Sequence, residues 1–174
     1  MTRFRLREVT ADDHAWLVEL HNDPAVLRNI TDPKPITLEQ HLAWWRSLQG
    51  DARQVRLIFT VDAERAGFAK FYNIDRVNSN CVLGADIHRA HRGRGYANAM
   101  WTLMLDRVFL DLGLHRASLT TAAYNEIGLR VYRRLGFLEE GHLVESLFRD
   151  DKFHDQVCMY ILCSDWRTRR RCYS

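Results

Sequence analysis

Two stretches of this chain carry residues whose types and spacing suit chemistry. The first is Arg92-Gly93-Arg94-Gly95-Tyr96-Ala97, set between an apolar run, Val82 to Ile87, and an amphipathic one, Met100 to Leu110. A glycine-rich loop that ends a strand and opens a helix leaves backbone N–H groups unobstructed at the positive end of the helix dipole. That is a seat for phosphate. The spacing fits neither the Walker nor the dinucleotide pattern, so the loop alone marks an anion site without naming its ligand. The second stretch is Asn125-Glu126-Ile127-Gly128-Leu129-Arg130-Val131-Tyr132, followed by Arg133-Arg134-Leu135-Gly136-Phe137. Its Tyr132 hydroxyl is a proton donor of ordinary pKa about 10. Read alone, Tyr132 is better explained by packing between a helix and a sheet.

The elements that must position these groups follow from periodicity. Phe4 to Glu8 reads as a strand, and Thr10 with Asp12 and Asp13 as the start of a helix through Ala15 to Leu20. Asp23-Pro24 and Asp32-Pro33-Lys34-Pro35 interrupt the chain around Val26, Leu27 and Ile30. Thr37 with Gln40 resembles a capping box for a helix from Leu38 to Leu48. Val55 to Val61 and Ala66 to Ile74 read as strands joined by a loop at Asp62 to Arg65, and Cys81 to His88 as a third. The helix after the glycine loop repeats apolar residues at three and four and stops near Gly113. His115 to Thr121 is then a strand, Glu126 to Leu135 a helix, and Phe137 to Leu147 with His154 to Leu162 a final hairpin around Arg149 to Lys152.

Ile87, four residues, Arg92, two residues, Gly95, one residue and Ala97 resemble the pyrophosphate loop of the GNAT superfamily of acetyl-CoA-dependent N-acetyltransferases. The segment Asn125 to Tyr132 with its Leu-Gly-Phe turn resembles the asparagine-to-tyrosine helix of the same family, in the right order. The resemblance covers nearly the whole chain. It implies a single-domain α/β fold with a mixed central sheet of about seven strands and about four helices. It also implies acetyl-CoA as co-substrate. Residues Arg92, Gly93, Arg94, Gly95, Tyr96 and Ala97 then hold the pyrophosphate. The strand edge at Asp86, Ile87 and His88 pairs with pantetheine amides, Asn125 touches the cofactor arm, and Tyr132 protonates the leaving thiolate. Many relatives place a glutamate in the strand where Val82 stands. Asp86, four residues on and on the same strand face, is the replacement candidate for the base, acting through water, with His88 and His154 as alternatives.

His21 to Val26 with Ile36 to Trp45 resembles the branch that acetylates nucleotide-linked aminodeoxysugars. Glu140 to Leu143 with Phe148 to Asp155 is similar to ribosomal-protein and spermidine acetyltransferases as well. Arg28 and Trp44 suit a nucleotide, through charge and a flat surface, and His154 completes the acceptor set. The first expectation is an aminosugar acceptor. Polyamine or protein N-terminal acetylation, and a non-catalytic CoA-binding module, stand as alternatives.

Composition sets the outer limits. With 174 residues, 47% hydrophobic and 27% charged, the chain reads as one soluble domain. The +3 net charge gathers at Arg167, Arg169, Arg170 and Arg171, so the expectation is a domain over 1–166 and a flexible basic tail over 167–174. A nucleic-acid role for that tail is the less favoured reading. No segment has signal-peptide or membrane-spanning character, which points to the cytoplasm. Cys81, Cys158, Cys163 and Cys172 show neither metal-ligand spacing nor disulfide density, so no metal is expected, and a nucleophilic Cys81 or Cys158 is held only as an alternative. The expected partners are a small-molecule amine and a second copy in a homodimer, with neither nucleic acid nor membrane.

Overall fold

The computed structural model describes residues 2–172. Seven strands form one sheet: β1 (Phe4–Glu8), β2 (Val55–Val61), β3 (Glu64–Asp75), β4 (Asn80–Ile87), β5 (Arg116–Ala122), β6 (Leu138–Arg149) and β7 (Lys152–Leu162). Their spatial order is β1-β2-β3-β4-β5-β7-β6. All neighbours run antiparallel except β4 and β5, which are parallel and therefore need a crossover. Helix α4 (Tyr96–Asp106), continued by a π-type turn over Arg107–Asp111, supplies it.

Helices cover both faces. Over one lie α4, α5 (Glu126–Leu135) and α6 (Cys163–Cys172), with Met104, Leu105, Leu129 and Trp166 packed on Phe59, Phe71, Leu83 and Leu119. Over the other, α1 (His14–His21) and α2 (Pro24–Leu27) bring Leu17, Leu20 and Val26 onto Ile58 and Phe68. The helix α3 (Leu38–Ser47) packs on α1 and begins with the expected capping box, Gln40 N–H donating to Thr37 Oγ1 at 3.2 Å and Thr37 N–H to Gln40 Oε1 at 2.8 Å. Period-two alternation divides β4 in the same way. Cys81 and Leu83 join the α4 side, while Val82, Gly84 and Asp86 face the α1 side.

Three features depart from the sequence reading. Among the described residues there are six α-helices rather than about four, because Asp23 caps a one-turn α2 with Pro24 at its first position, and because the arginine-rich end is helical. That end is not a frayed tail as far as Cys172: Trp166 is 4% exposed in the core and its indole N–H donates to Asp106 Oδ1 at 2.9 Å, anchoring α6. The last two residues of the expected tail, Tyr173 and Ser174, lie outside the described residues. Finally, both hairpin loops shrink to two residues, Asp62-Ala63 and Asp150-Asp151, all with positive φ, so the flanking strands extend into the expected loops. Among the described residues no helix is long and apolar enough to cross a membrane.

Candidate active site

The parallel ladder between β4 and β5 lasts three pairs, Asn80–Arg116, Cys81–Ala117 and Val82–Ser118. Beyond it β4 stays with β3 as far as Ile87 opposite Gly67, while β5 stays with β7 as far as Ala122 opposite Gln156. The two strands therefore diverge inside the sheet. Over residues 83–87 the β5-facing edge of β4 has lost its ladder, and main-chain groups in that position call for an extended amide partner.

The glycine loop sits at the open end of that cleft. His88 caps the short turn Arg89–His91, accepting from Ala90 N–H at 3.4 Å. Gly93 and Gly95 take φ of +74° and +76° with open space where a Cβ would stand, so glycine is required here for backbone conformation rather than for room. Among the described residues the N–H groups of 93–97 have no acceptor. Five adjacent donors at the start of α4 make the anion seat the sequence reading expects. Arg94 is exposed beside it. Arg92 is not free to add charge: its Nε donates to the Ile87 carbonyl at 2.9 Å and its Nη1 pairs with Asp23 at 3.1 Å. Burial pushes the Asp23 carboxyl up. The Arg92 guanidinium and the Ala25 and Val26 N–H groups outweigh it and hold the group below its ordinary range. Arg92 thus clips the loop to the start of α2.

Tyr132 projects from α5, its ring edge-on to Trp101 at 4.9 Å and to Phe137 at 5.9 Å. Burial raises its hydroxyl well above the ordinary tyrosine value, the nearby Asp86 charge adds to this, and a hydrogen bond with Thr121 opposes it. The phenol therefore stays protonated at neutral pH, with a proton to give. Asp86 sits close enough for its charge to be felt there, so the cleft brings together the two residues expected to handle protons. Asp86 Oδ2 is bound to Lys70 Nζ at 2.6 Å, and Oδ1 has no partner among the described residues. Gly84 makes this pair feasible, since a Cβ there would stand 3.2 Å from Lys70 Cε. Val82, opposite Tyr72, offers no carboxylate. Asn125 is engaged at the start of α5, accepting from Gly128 N–H at 3.1 Å and donating to Thr121 Oγ1 at 2.9 Å, so its side-chain bonds hold the helix.

Of the residues expected to hold the acceptor, Arg28 and His154 come together around Tyr124. The guanidinium of Arg28 lies 4.9 Å from the Tyr124 ring centroid and the His154 ring 4.8 Å from it, edge-on. Trp44 does not join them. Its ring meets His41 at a tilt and Trp45 edge-on along α3, and it is 41% exposed there. His88 is held between Trp16 and Glu19, the latter 3.6 Å away. Burial pushes the Cys81 thiol up to about 12, which removes it as a nucleophile. Lys70, Thr121, Tyr124 and Arg149 were not singled out from sequence. For Lys70 a signal existed: a lone cation inside the apolar run Ala66 to Ile74.

Residues 3–138 match the family described as the acetyltransferase (GNAT) domain. The chain belongs to the GNAT acetyltransferases. Among curated relatives, the spermidine N(1)-acetyltransferase of Vibrio cholerae is 33% identical over 103 residues, 59% of this chain and 60% of that protein's length. A putative ribosomal N-acetyltransferase of Bacillus subtilis is 29% identical over 122 residues, 70% of this chain and 67% of its own length. The chain thus spans less than two thirds of the first of these relatives. Among solved structures, the spermidine N-acetyltransferase from Vibrio cholerae in complex with CoA and spermine superposes with a TM-score of 0.90 at 25% identity, covering 94% of this chain and 98% of that one. For a GNAT chain the donors described above fit coenzyme A: five free N–H groups for a diphosphate and an unladdered strand edge for the amides of its arm.

Proposed function

We propose that this GNAT protein transfers the acetyl group of acetyl-CoA to a primary amine of a small polyamine of the spermidine class. The observation that carries the reading is the coincidence, in one cleft, of an unpaired β4 edge, a protonated Tyr132 and the half-bound carboxylate of Asp86.

Acetyl-CoA supplies the activated acyl group. Residues 93–97 bind its diphosphate through main-chain N–H groups, and residues 83–87 align its arm along β4. Polyamine nitrogens are protonated at neutral pH and carry no lone pair until a proton leaves. Asp86 Oδ1 takes that proton, directly or through one water. Lys70 holds the other oxygen and so fixes the carboxylate. Tyr132, kept protonated by burial, gives its proton to the departing thiolate.

The acceptor class draws its support from two directions. The likeness to the enzyme solved in complex with CoA and spermine extends over 94% of the chain. Trp44 makes its ring contacts with His41 and Trp45 rather than with Arg28 or His154, so the platform expected for a nucleotide-linked aminosugar gains no support from it. Steady-state turnover with acetyl-CoA and four acceptors decides: spermidine, spermine, an alanine-starting peptide and a nucleotide-linked 4-aminosugar. Spermidine is expected to give the highest kcat/KM. A clear preference for the peptide or the sugar rejects the polyamine and keeps the acetyl transfer.

A further inference from the structure

Arg149 is 9% exposed and pairs with no carboxylate among the described residues. Its guanidinium, at the end of β6, instead meets four main-chain carbonyls. Nε donates to Arg28 at 3.3 Å, Nη1 to Phe148 at 2.5 Å, and Nη2 to Thr31 at 3.1 Å and to Ile30. Three of these carbonyls belong to the irregular segment between α2 and α3, and among the described residues no backbone N–H reaches them. From the opposite side, Tyr124 Oη donates to the same Arg28 carbonyl at 2.5 Å. Tyr124 immediately precedes Asn125, which caps the helix that carries Tyr132.

A buried cation is costly unless its donors are satisfied, and a guanidinium offers five donors in a fixed planar fork where an ammonium offers three on a single atom. The N–H groups of Arg28, Asn29 and Ile30 bond back onto Pro24 and Val26, but among the described residues the carbonyls of Arg28, Ile30 and Thr31 have no main-chain donor and depend on Arg149 and Tyr124. The exposed Arg28–Asp150 pair, with side chains 55% and 58% accessible, adds little. From this we infer that Arg149, with Tyr124, is a positioning residue for acceptor specificity: it clamps the 28–31 main chain between the final hairpin and the start of α5, setting the acceptor wall of the cleft without touching the cosubstrate seat.

This inference rests on the reading that the amine lies against residues 28–31 in an acetyl-transfer reaction. Arg149→Met is expected to raise the KM for spermidine about tenfold, the effect of losing one or two charge-assisted hydrogen bonds. Acetyl-CoA affinity by titration calorimetry should stay within twofold. Tyr124→Phe should give a smaller rise of the same kind, and Arg149→Lys should recover little. Amide hydrogen exchange at 29–32 should accelerate in Arg149→Met while that of β4 does not. Equal weakening of both substrates, or an unchanged spermidine KM in a folded variant, overturns the inference. If the wild type acetylates a different amine of the panel, the same KM split is read with that amine. If it acetylates none, the acetyl-transfer reading fails, and the clamp is then judged by exchange alone: unchanged protection at 29–32 overturns it.

Discussion

Around residues 83–97 the site is made of backbone: a strand edge without its ladder and five N–H groups held open by two glycines. Around 28–31 and 149–154 it is made of side chains, with Arg149, Tyr124 and Arg28 supplying bonds that the irregular main chain lacks. The first half depends on the trajectory of β4 and on φ angles, so it tolerates many side chains but few backbone changes. The second depends on individual residues, so it can be altered one residue at a time. On the proposed roles, that division lets one scaffold keep a common cosubstrate while its acceptor changes.

Tyr132→Phe strikes the junction of the two halves and carries the largest expected effect. Removing the hydroxyl proposed to protonate the thiolate should lower kcat about 100-fold, the usual size of a general-acid contribution. Acetyl-CoA affinity and the acceptor KM should be unchanged, because the ring and its contacts with Trp101 and Phe137 remain. An unchanged kcat would instead fit a module that binds CoA without using this tyrosine.

Gly95→Val isolates the cosubstrate half. Nothing lies within 4 Å of its missing Cβ, so the effect must come from φ of +76°, which a β-branched residue adopts only under strain of about 1–3 kcal/mol. If the loop relaxes to relieve it, the N–H groups turn away from the diphosphate, and acetyl-CoA binding should weaken about tenfold. Calorimetry reads this directly, and the same variant should leave exchange at 29–32 untouched.

Much of the backbone half was legible in the sequence, because glycine spacing, strand alternation and a three-four helical repeat are local patterns. The capping box at Thr37, the loop at 92–97 and the helix ending at Gly136 all stand where those patterns put them. The side-chain half was not, because it depends on distances across the fold. Arg149 reads as a turn residue beside Asp150 and Asp151, yet it is buried against a segment 118 positions earlier. Arg92 reads as a phosphate ligand and is bound to Asp23, 69 positions away. Trp166 is hidden among arginines whose charge suggests solvent, yet its ring enters the core, and Arg170 joins it on Asp106 at 3.1 Å.

Arg92 and Asp23 join the two halves, and their exchange should show a smaller effect spread over both. Arg92→Met leaves a carboxylate that is 7% exposed with only N–H partners at α2, at a cost of about 2 kcal/mol. The expected fall in melting temperature is about 4–8 °C for a domain of this size. Both KM values should rise a few-fold together. Adding Asp23→Asn removes the stranded charge and should restore most of the melting temperature; a double variant no more stable than the single would mean that the pair does not act as a unit.

The smallest effect lies in the acceptor half, at His41. This residue is 3% exposed on α3, and its Nε2 sits 3.0 Å from His14 Nδ1. Burial, then the charges of His14 and His21, push its pKa down from 6.5 to about 4. Below about pH 6.5 the unfolded chain binds a proton at this histidine that the folded chain refuses until about pH 4. The unfolded state therefore binds more protons in that window, and stability must fall as pH falls through it. The melting temperature should decline between pH 6.5 and pH 4 more steeply in the wild type than in His41→Gln, which keeps a hydrogen-bonding side chain and does not titrate. Since α3 packs on α1, away from β4 and the glycine loop, acetyl-CoA affinity measured across the same window should not follow that decline. If it does, the cosubstrate and acceptor halves are coupled through the sheet more tightly than their separate construction implies.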